Sequence, residues 1–483
     1  MHYTIEADFD KIQVDLYQNM KLEKVLFKGN SLDFKREGNA IFITFPQTQK
    51  KGQTGAIQMY FSGEPRVAPN APWDGGFSWK KDAQGNHFIG VSCEGDGASL
   101  WWPTKDHLSE EPDSMQISCA VPADLICVAN GSLRKEEKLE DQYRKFIWFV
   151  SYPINSYNVT LNVARYTHFS DTYTSEDGAA LELDYYVLPE NLEKAKKQFA
   201  QVKPMLACYE KLFGKYPFWN DGFALVETPY LGMEHQSAVA YGNKYQNGYL
   251  GYDLSGSGYG NKFDYIIIHE AGHEYWGNSV SCKDHAELWI HEAFCTYTEA
   301  LYVECMYGKE AGYSYVSGLK GQVSNQTPIV GPLGVNASGG GDMYFKGALM
   351  LHTLRNVLDN DVLWFEIIKG ITTDFKLKNT DTPELTAYIS QKAGKNLGYF
   401  FKQYLYFPQI PTLEYKIEKK DKAYSLSFRW EADVEEFAMP LKIKVGKEEI
   451  TLNPTSQWQQ IPLKQATFEL KENTYYIYTE LKN

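Results

Sequence analysis

One segment of this sequence, an apolar run that leads into the pattern His-Glu-x-x-His, constrains the local fold more than any other feature. Residues 263–276 read FDYIIIHEAGHEYW, and the Gly-Asn pair after them is a helix-ending signal. Residues four apart on a helix share one face, so His269 and His273 can present two imidazoles to one metal ion. Glu270 lies about 100° round the helix, beside the open position of that metal. The segment therefore predicts a helix that carries part of a catalytic metal site.

The third ligand of this site is expected on a second helix. Eighteen residues, 274 to 291, separate His273 from Glu292, and the stretch 286–306 has apolar residues at helical spacing. A second helix packed antiparallel to the first can offer the Glu292 carboxylate to the same ion. Two His and one Glu leave a fourth position for water, whereas structural zinc sites are usually closed by four Cys or His ligands. We therefore predict one catalytic zinc ion (Zn2+) per chain, rather than solvated charges beside a buried histidine pair.

The hydropathy pattern divides the chain into three parts. Up to residue 170, short apolar alternations such as IQVDLY, AIFITF, AIQMYF and KFIWFVS predict a mostly antiparallel β domain. From 171 to 409, helical patterns predominate, including LEKAKKQFAQVKPMLACYEKLF and stretches near 346–358 and 396–406. From 410 to 483, after a Pro-Gln-Ile-Pro stop, the runs LEYKIE, YSLSFRW, PLKIKV, ATFEL and YYIYTE predict a small β-sandwich.

The composition argues against several classes of protein. At 483 residues and 43% hydrophobic content, the chain can form several packed cores. Its formal charge of −13 repels phosphate backbones, so nucleic acid is not an expected partner. No apolar stretch is long enough to span a bilayer, and the opening residues lack the order of a signal peptide, so we expect no membrane insertion. The seven cysteines are dispersed without a Cys-x-x-Cys pair, which favours buried thiols over a disulfide framework.

Three more motifs accompany the predicted metal helices. Leu-Gly-Met-Glu-His at 231–235 places Glu234 35 residues before the first histidine, and Tyr-Phe-Lys-Gly places Tyr344 52 residues after the third ligand. Upstream, Glu94 stands in Cys-Glu-Gly, nine residues before the proline of Trp-Trp-Pro. In this order the motifs resemble those of the zinc aminopeptidases of the aminopeptidase N type, the gluzincins that also include leukotriene hydrolase.

The resemblance covers nearly the whole chain and implies its architecture. It implies an α/β multidomain protein with an N-terminal saddle-like β domain (1–170), a thermolysin-like zinc catalytic domain (171–409) and a small C-terminal β-sandwich (410–483). It also implies a metalloaminopeptidase that hydrolyses the N-terminal peptide bond with zinc-activated water. In that reaction Glu270 is the general base and Tyr344 stabilises the oxyanion.

The resemblance further implies how substrate is held. Gly232, Met233 and Glu234 match the family's GxMEN exopeptidase motif, and Glu94 matches the acidic or amide residue that the N-terminal domain sends into the active site. Together Glu94 and Glu234 would grip a protonated substrate amine. The motif departs from the family at its two ends, where Leu231 replaces Gly and His235 replaces Asn.

Two other charged residues, Glu299 and Arg355, have two interpretations each. Glu299, seven residues after Glu292, shares its helical face and either supports the metal site or is a solvated charge. Arg355 either meets a peptide carboxylate or forms a surface salt bridge. The sequons at Asn130 and Asn158 are short patterns that imply nothing firm.

The expected partners are peptides with a free N-terminal amine, and the expected state is a monomer. One alternative is epoxide hydrolysis of the leukotriene-hydrolase type, which relies on Gln at the position of Glu94 and on a C-terminal helical domain. Another is a catalytically silent scaffold, which would show damaged ligands or a missing base. Family members usually carry more strand-forming sequence before the position of Met1. The compartment therefore stays open between cytoplasm and periplasm, with an export signal possible ahead of this chain.

Overall fold

The computed structural model describes residues 1–420 and 423–482. They form two compact units, each with its own internal packing. The first comprises residues 1–172, 181–193 and 218–242, and the second comprises residues 173–180, 194–217, 243–420 and 423–482. The division of the chain into domains at residues 170 and 409 stays a prediction.

The N-terminal part is built of antiparallel sheets, as its alternating sequence predicts. In β5, for example, Ile41, Ile43 and Phe45 are buried while the residues between them are more exposed. The sheets have the strand orders β1-β6-β3-β4-β5-β2, β10-β13-β8-β7 and β11-β12-β9. The strands are β1 (His2–Thr4), β2 (Phe9–Asp15), β3 (Met20–Phe27), β4 (Asn30–Glu37), β5 (Ala40–Gln49), β6 (Thr54–Gly63), β7 (Gly76–Lys81), β8 (His87–Ser92), β9 (Met115–Pro122), β10 (Ile126–Ala129), β11 (Ser132–Lys138), β12 (Tyr143–Val150) and β13 (Leu161–Ala164).

A five-stranded mixed sheet follows, in the order β14-β15-β16-β18-β17. Its central strands are parallel, with Leu183 opposite Phe223 and Leu225 opposite Val239, and its edge strand β17 is antiparallel to β18. The edge strand holds the Gly-Met of the Leu-Gly-Met-Glu-His motif. The strands are β14 (Thr167–Thr174), β15 (Ala180–Val187), β16 (Phe223–Glu227), β17 (Gly232–Met233) and β18 (Val239–Tyr241).

Most of the helices lie in the second unit. Those within 192–213, 265–272, 289–307, 342–358 and 398–406 correspond to the helical patterns of the sequence with shifted ends, whereas the helices Lys309–Gly318, Asp361–Asp374 and Thr382–Ala393 match none of the helical patterns described above. The pattern over 192–213 is split, because Pro204 lacks the N–H that a helix interior needs and fits only in the first turn of a new helix. The helices are α1 (Leu192–Gln198), α2 (Val202–Phe213), α3 (Tyr265–Gly272), α4 (Trp289–Tyr307), α5 (Lys309–Gly318), α6 (Asp342–Leu358), α7 (Asp361–Asp374), α8 (Thr382–Ala393) and α9 (Gly398–Tyr406). Among the described residues, no helix is long and apolar enough to cross a membrane.

The C-terminal part forms two sheets, with the orders β25-β22-β21-β27 and β24-β23-β26, and a short pair β19-β20 lies in the helical part. Two predicted strands differ from expectation: only Glu469–Leu470 of ATFEL is strand, and the last strand, Tyr478–Leu481, begins three residues into the run YYIYTE and ends one residue after it. The strands are β19 (Val280–Cys282), β20 (Lys378–Thr380), β21 (Thr412–Lys420), β22 (Ala423–Glu431), β23 (Leu441–Val445), β24 (Glu448–Leu452), β25 (Gln459–Leu463), β26 (Glu469–Leu470) and β27 (Tyr478–Leu481).

One disulfide corrects the expectation of buried thiols. Cys208 on α2 and Cys305 on α4 are bonded across a sequence separation of 97 residues, with 6.2 Å between their Cα atoms. The other five cysteines are free, and four of them are buried as expected. A pairing over so long a separation depends on tertiary packing, which cysteine spacing does not reveal.

Candidate metal centre and substrate-binding residues

The helix that carries His-Glu-x-x-His begins at a strongly held cap. The Asp264 carboxylate accepts hydrogen bonds from the backbone N–H groups of Ile266 and Ile267, the usual role of an N-cap residue. The same carboxylate also accepts from the side chains of Asn243 (2.7 Å) and Gln198 (2.7 Å). Buried hydrogen bonds from two neighbouring segments therefore fix where α3 starts.

The two histidines and Glu292 form a triangle of donor atoms in the second unit. The distance between His269 Nε2 and His273 Nε2 is 3.3 Å, and Glu292 Oε2 lies 3.5 Å from the first and 3.4 Å from the second. Bonds of about 2.0 to 2.1 Å to a tetrahedral zinc ion separate two donor atoms by about 3.3 Å. The donor set therefore has the dimensions that a zinc ion requires.

The other ring nitrogen of each histidine is held by a hydrogen bond. His273 Nδ1 donates to the Trp276 carbonyl at 2.9 Å, and His269 Nδ1 donates to Glu299 Oε1 at 2.7 Å. With each Nδ1 engaged, each Nε2 is directed to the centre of the triangle, as in metal-binding histidines generally. Glu299 thus packs against a proposed ligand and is not a solvated charge, because it is fully buried.

Glu292 has the electrostatics of a metal ligand. It is buried, and its Oε2 atom has no hydrogen-bond partner. Burial alone would raise the pKa of this carboxyl, but the adjacent His273 and His269 outweigh burial and hold that pKa well below its usual range. The carboxylate is therefore ionised, with an oxygen free to bind a cation.

Cys295 is a nearby thiol that the sequence analysis did not single out. Its sulfur lies within 4.8 Å of nitrogen atoms of both histidines. The thiol donates to the His269 carbonyl at 2.8 Å, so it is engaged with the backbone of α3. The Glu292 oxygen, at similar distances from both Nε2 atoms and unpartnered, is the better third ligand.

The proposed base and oxyanion donor belong to the same unit as the triangle. Glu270 follows His269 on α3 and is 8% exposed. Tyr344 lies in the first turn of α6 with a half-buried side chain, and its ring is nearly parallel to the His269 ring at a centroid distance of 6.2 Å. Their assignment as base and oxyanion donor stays a prediction.

The other predicted substrate-binding residues belong to the first unit. Gly232 and Met233 form the buried edge strand β17, and Glu234 follows them with 3% exposure. The Tyr157 hydroxyl donates to Glu234 Oε1 at 2.9 Å. Sequence reasoning missed Tyr157, which is one of 35 tyrosines and stands in no motif.

Glu94 lies in a loop after β8, half-buried, and the segments before the two acidic residues contact each other. The Tyr230 hydroxyl donates to the Val91 carbonyl at 3.0 Å, and a Cβ atom on Gly90 would lie 2.9 Å from the Tyr230 ring. The chain before Glu94 and the chain before Glu234 are therefore packed together within the first unit.

Arg355 and the sequons have structural roles. Arg355 is 1% exposed and forms ion pairs with Glu304 and Asp361, so it is neither a surface bridge nor available to a peptide. Asn130 and Asn158 are fully buried. Asn130 donates to the Gln236 carbonyl at 2.8 Å, so this sequon residue holds the chain just after Glu234.

Comparisons with known proteins agree with this picture. Residues 198–404 match the peptidase family M1 domain. Glutamyl aminopeptidase of Rattus norvegicus is 24% identical over 328 residues, which are 64% of this chain and 33% of that protein. Tricorn protease-interacting factor F2 of Thermoplasma acidophilum is 21% identical over 343 residues, 67% of this chain and 41% of that protein. The chain spans well under half of the length of these relatives.

Solved structures share the fold. An M1 zinc metallopeptidase of Deinococcus radiodurans, bound to a Tyr-Ser-Ala substrate, has a TM-score of 0.69 and 17% identity, covering 83% of this chain and 88% of its own. Legionella pneumophila aminopeptidase A, in complex with aspartic acid, has a TM-score of 0.80 and 16% identity, covering 98% of this chain and 56% of its own. The predicted fold class and the predicted resemblance are confirmed.

Proposed function

We propose that this chain is a zinc-dependent aminopeptidase of the aminopeptidase N type, because its residues 198–404 match the peptidase family M1 domain and its relatives include glutamyl aminopeptidase. The observation that carries the proposal is the triangle of His269, His273 and Glu292, whose donor atoms are 3.3 to 3.5 Å apart. The proposed reaction is the removal of N-terminal residues from peptides. It requires one zinc ion per chain, which these three residues would hold.

Zinc held by His269, His273 and Glu292 would supply Lewis-acid chemistry at the scissile carbonyl and would lower the pKa of water toward neutrality. Glu270 takes the proton of the attacking water and then hands it to the leaving amine, a general-base and general-acid role that contributes about 10²- to 10⁴-fold. Tyr344 donates its phenolic hydrogen bond to the oxyanion, the former carbonyl oxygen that becomes negative when water adds to the carbonyl carbon. One such donor is worth about 10²- to 10³-fold in turnover.

The carboxylates of Glu94 and Glu234 make the enzyme an exopeptidase. A protonated substrate amine would form charge-assisted contacts with them, whereas the nitrogen of an internal peptide bond is neutral and offers no charge to these carboxylates. The burial of Glu234 supports this step, because a desolvated carboxylate discriminates more strongly than an exposed one.

The first test combines metal content with the Glu270→Gln variant. We expect about one zinc ion per wild-type chain, and a variant that keeps the zinc and loses at least about 10²-fold in turnover. Aminoacyl anilides report the turnover and metal analysis reports the zinc. His269→Ala is the matched control, since it should lose both zinc and activity. A Glu270→Gln variant with more than about a tenth of the wild-type rate is incompatible with the proposed base.

The second test addresses the amine. Free-amine dipeptides and aminoacyl anilides should be cleaved, and their N-acetylated forms should be inert. Glu234→Ala should raise KM and lower kcat/KM with the zinc retained, and Glu234→Gln, which can still accept the Tyr157 hydrogen bond, separates lost charge from lost packing. Internal cleavage of acetylated peptides at comparable rates would make the protein an endopeptidase.

A further inference from the structure

Lys346, two residues after Tyr344, is a buried cation with an unusual set of partners. Its side chain is 0% exposed. Its Nζ atom donates to two backbone carbonyls, that of Phe407 at 2.9 Å and that of Pro408 at 2.7 Å. These carbonyls lie just past the C-terminal end of α9, where a positive charge is favoured by the helix dipole. Lys346 therefore ties the first turns of α6 to the junction that follows α9.

Burial of the Lys346 ammonium group carries a desolvation cost. Burial lowers the pKa of Lys346 to about 8, and the negative charges of Asp342 and Asp433 only partly offset that effect. A methionine would fill similar space without the desolvation of a charge. The two carbonyl contacts are what an apolar side chain could not provide.

Gly347 fixes the same part of α6 from another side. A Cβ atom at this position would lie 2.4 Å from the Cβ of Ala293, far inside van der Waals contact. Ala293 directly follows Glu292 on α4. The absence of a side chain at Gly347 thus lets α6 approach α4 closely beside a proposed metal ligand.

Helix geometry relates both contacts to Tyr344. At about 100° per residue, Lys346 lies about 200° from Tyr344, and Gly347 lies three residues on, close to the same face as Tyr344. The glycine sets how near this face comes to α4, and the lysine holds the opposite side of the helix to the end of α9. Between them, the Tyr344 ring stands 6.2 Å from the His269 ring.

We propose that Lys346 and Gly347 are positioning residues that hold the Tyr344 phenol at its working distance from the metal site. This inference rests on the proposed function, in which Tyr344 stabilises the oxyanion. It also assigns the junction after α9 a part in catalysis, because the carbonyls of Phe407 and Pro408 are the anchor.

The test is a double-mutant cycle with Tyr344→Phe. Lys346→Met and Gly347→Ala should each lower kcat by about 10²-fold with little change in KM, the size of effect expected when a reacting group is displaced by about 1 Å. In the Tyr344→Phe background the same substitutions should cost less than about twofold, since the hydroxyl that they misplace is already gone. Equal losses in both backgrounds, or unchanged kcat in the single variants, would overturn the proposal.

A second readout does not depend on turnover. A tetrahedral phosphonate analogue of the peptide should bind Lys346→Met about 10²-fold more weakly than wild type, while the product amino acid binds both alike. Zinc content should be unchanged. If Lys346→Met does not fold, Gly347→Ala carries the same test, and Lys346→Gln, which keeps a hydrogen-bond donor for the carbonyls, should lose less kcat than Gly347→Ala.

Arg355→Lys is the matched control, because it weakens another buried cation of α6 that contacts Glu304 and Asp361 instead of the α9 junction. It should lower the free energy of unfolding. Any loss of kcat that it causes should be the same in the wild-type background and in the Tyr344→Phe background. Wild-type protein that hydrolyses no peptide would overturn the proposed function together with this inference. An active wild type with additive variants would overturn this inference alone.

Discussion

At the scale of single residues, the orientation of His269 depends on a side chain outside the proposed ligand set. Glu299 accepts from His269 Nδ1 with one carboxylate oxygen, and from the Tyr315 hydroxyl, at 2.6 Å, with the other. Both oxygens are thus used, and the ring of His269 is held with Nε2 toward Glu292. The affinity of this site for zinc would therefore depend on Glu299, although Glu299 is not one of the proposed ligands.

We expect Glu299→Ala to weaken zinc binding about 10- to 100-fold, because the imidazole loses the contact that fixes its orientation. Competition with a chelator of known affinity measures the change. Tyr315→Phe, which removes only the outer hydrogen bond, should give an intermediate affinity. Wild-type zinc affinity in Glu299→Ala would show that the contact has no bearing on the metal.

Residues of this kind mark the limit of prediction from sequence. The proximity of His269, His273 and Glu292 could be predicted because their spacing has a geometric meaning on helices, whereas their role as zinc ligands stays a prediction. Glu299 stayed ambiguous, because spacing shows which face a residue shares but not what packs against that face. Asn130 is a stronger case, since its pattern suggests a glycosylation site, whereas the structure buries it as a support for the chain at Gln236.

At the scale of elements, the helices that carry the proposed site could be predicted, but their ends could not, and α5, α7 and α8 were not predicted. The expected helix over 263–276 is α3, which ends at Gly272, and His273 is its C-cap residue. The chain then tightens into turns, with the N–H of Tyr275 bonded to Gly272 and the N–H of Asn278 bonded to His273. The hydrogen bond from His273 Nδ1 to the Trp276 carbonyl stabilises this turn, and such a contact has no periodic signal.

The disulfide between α2 and α4 joins two helices that pack against α3, the helix that carries His269. On α2, the Tyr209 hydroxyl donates to the Ile268 carbonyl of α3 at 2.6 Å, and α4 carries Glu292. Linking Cys208 to Cys305 closes a long loop, which restricts the unfolded chain more than a short loop does.

We expect Cys208→Ser with Cys305→Ser to lower the free energy of unfolding by about 2 to 4 kcal/mol, the usual contribution of a disulfide. Urea unfolding of the variant and of the wild type, with and without reductant, measures it. Reductant should destabilise the wild type and leave the double variant unchanged. Cys119→Ser is the control, because Cys119 is a free thiol of the first unit. Seven titratable thiols in the unreduced, denatured wild type would contradict the expectation.

At the scale of the whole molecule, the pattern of alternating and helical segments was enough to anticipate a β-rich beginning, a helical middle and a β-rich end. The same pattern could not predict which residues assemble into each compact unit, because the units are not continuous in sequence. Residues 218–242, which include Glu234, group with the N-terminal sheets, although helices of the second unit precede and follow them. Such grouping arises from long-range contacts like that between Tyr230 and Val91.

Buried histidines are a property of the whole fold that affects its response to acid. Burial lowers the pKa of His235, His291 and His352 to about 3 in each case. The folded protein therefore keeps these rings neutral at pH values where the unfolded chain, with a histidine pKa of about 6.5, protonates them. Proton uptake by the unfolded state then favours unfolding.

The sign of the effect follows from these pKa values. Above about pH 6.5 neither state binds the extra protons and the contribution of a buried histidine to stability is fully present. As the pH falls from 6.5 toward 3, the unfolded state binds more protons than the folded state and stability is lost. Each histidine should account for about 2 kcal/mol between pH 7.5 and pH 5.

His352 offers the cleanest test, because it lies on α6 away from the proposed ligands and donates to the Asn473 carbonyl at 2.8 Å. His352→Gln keeps a hydrogen-bond donor and removes the titration. We expect the variant to be less stable than wild type at pH 7.5, and the difference to shrink by about 2 kcal/mol at pH 5, because only the wild type carries this acid-sensitive ring. Urea unfolding at both pH values measures the two differences, on protein prepared without zinc so that metal loss at low pH does not contribute. A stability difference that is the same at both pH values would mean that the folded protein admits a proton to His352, and that its burial does not keep the ring neutral.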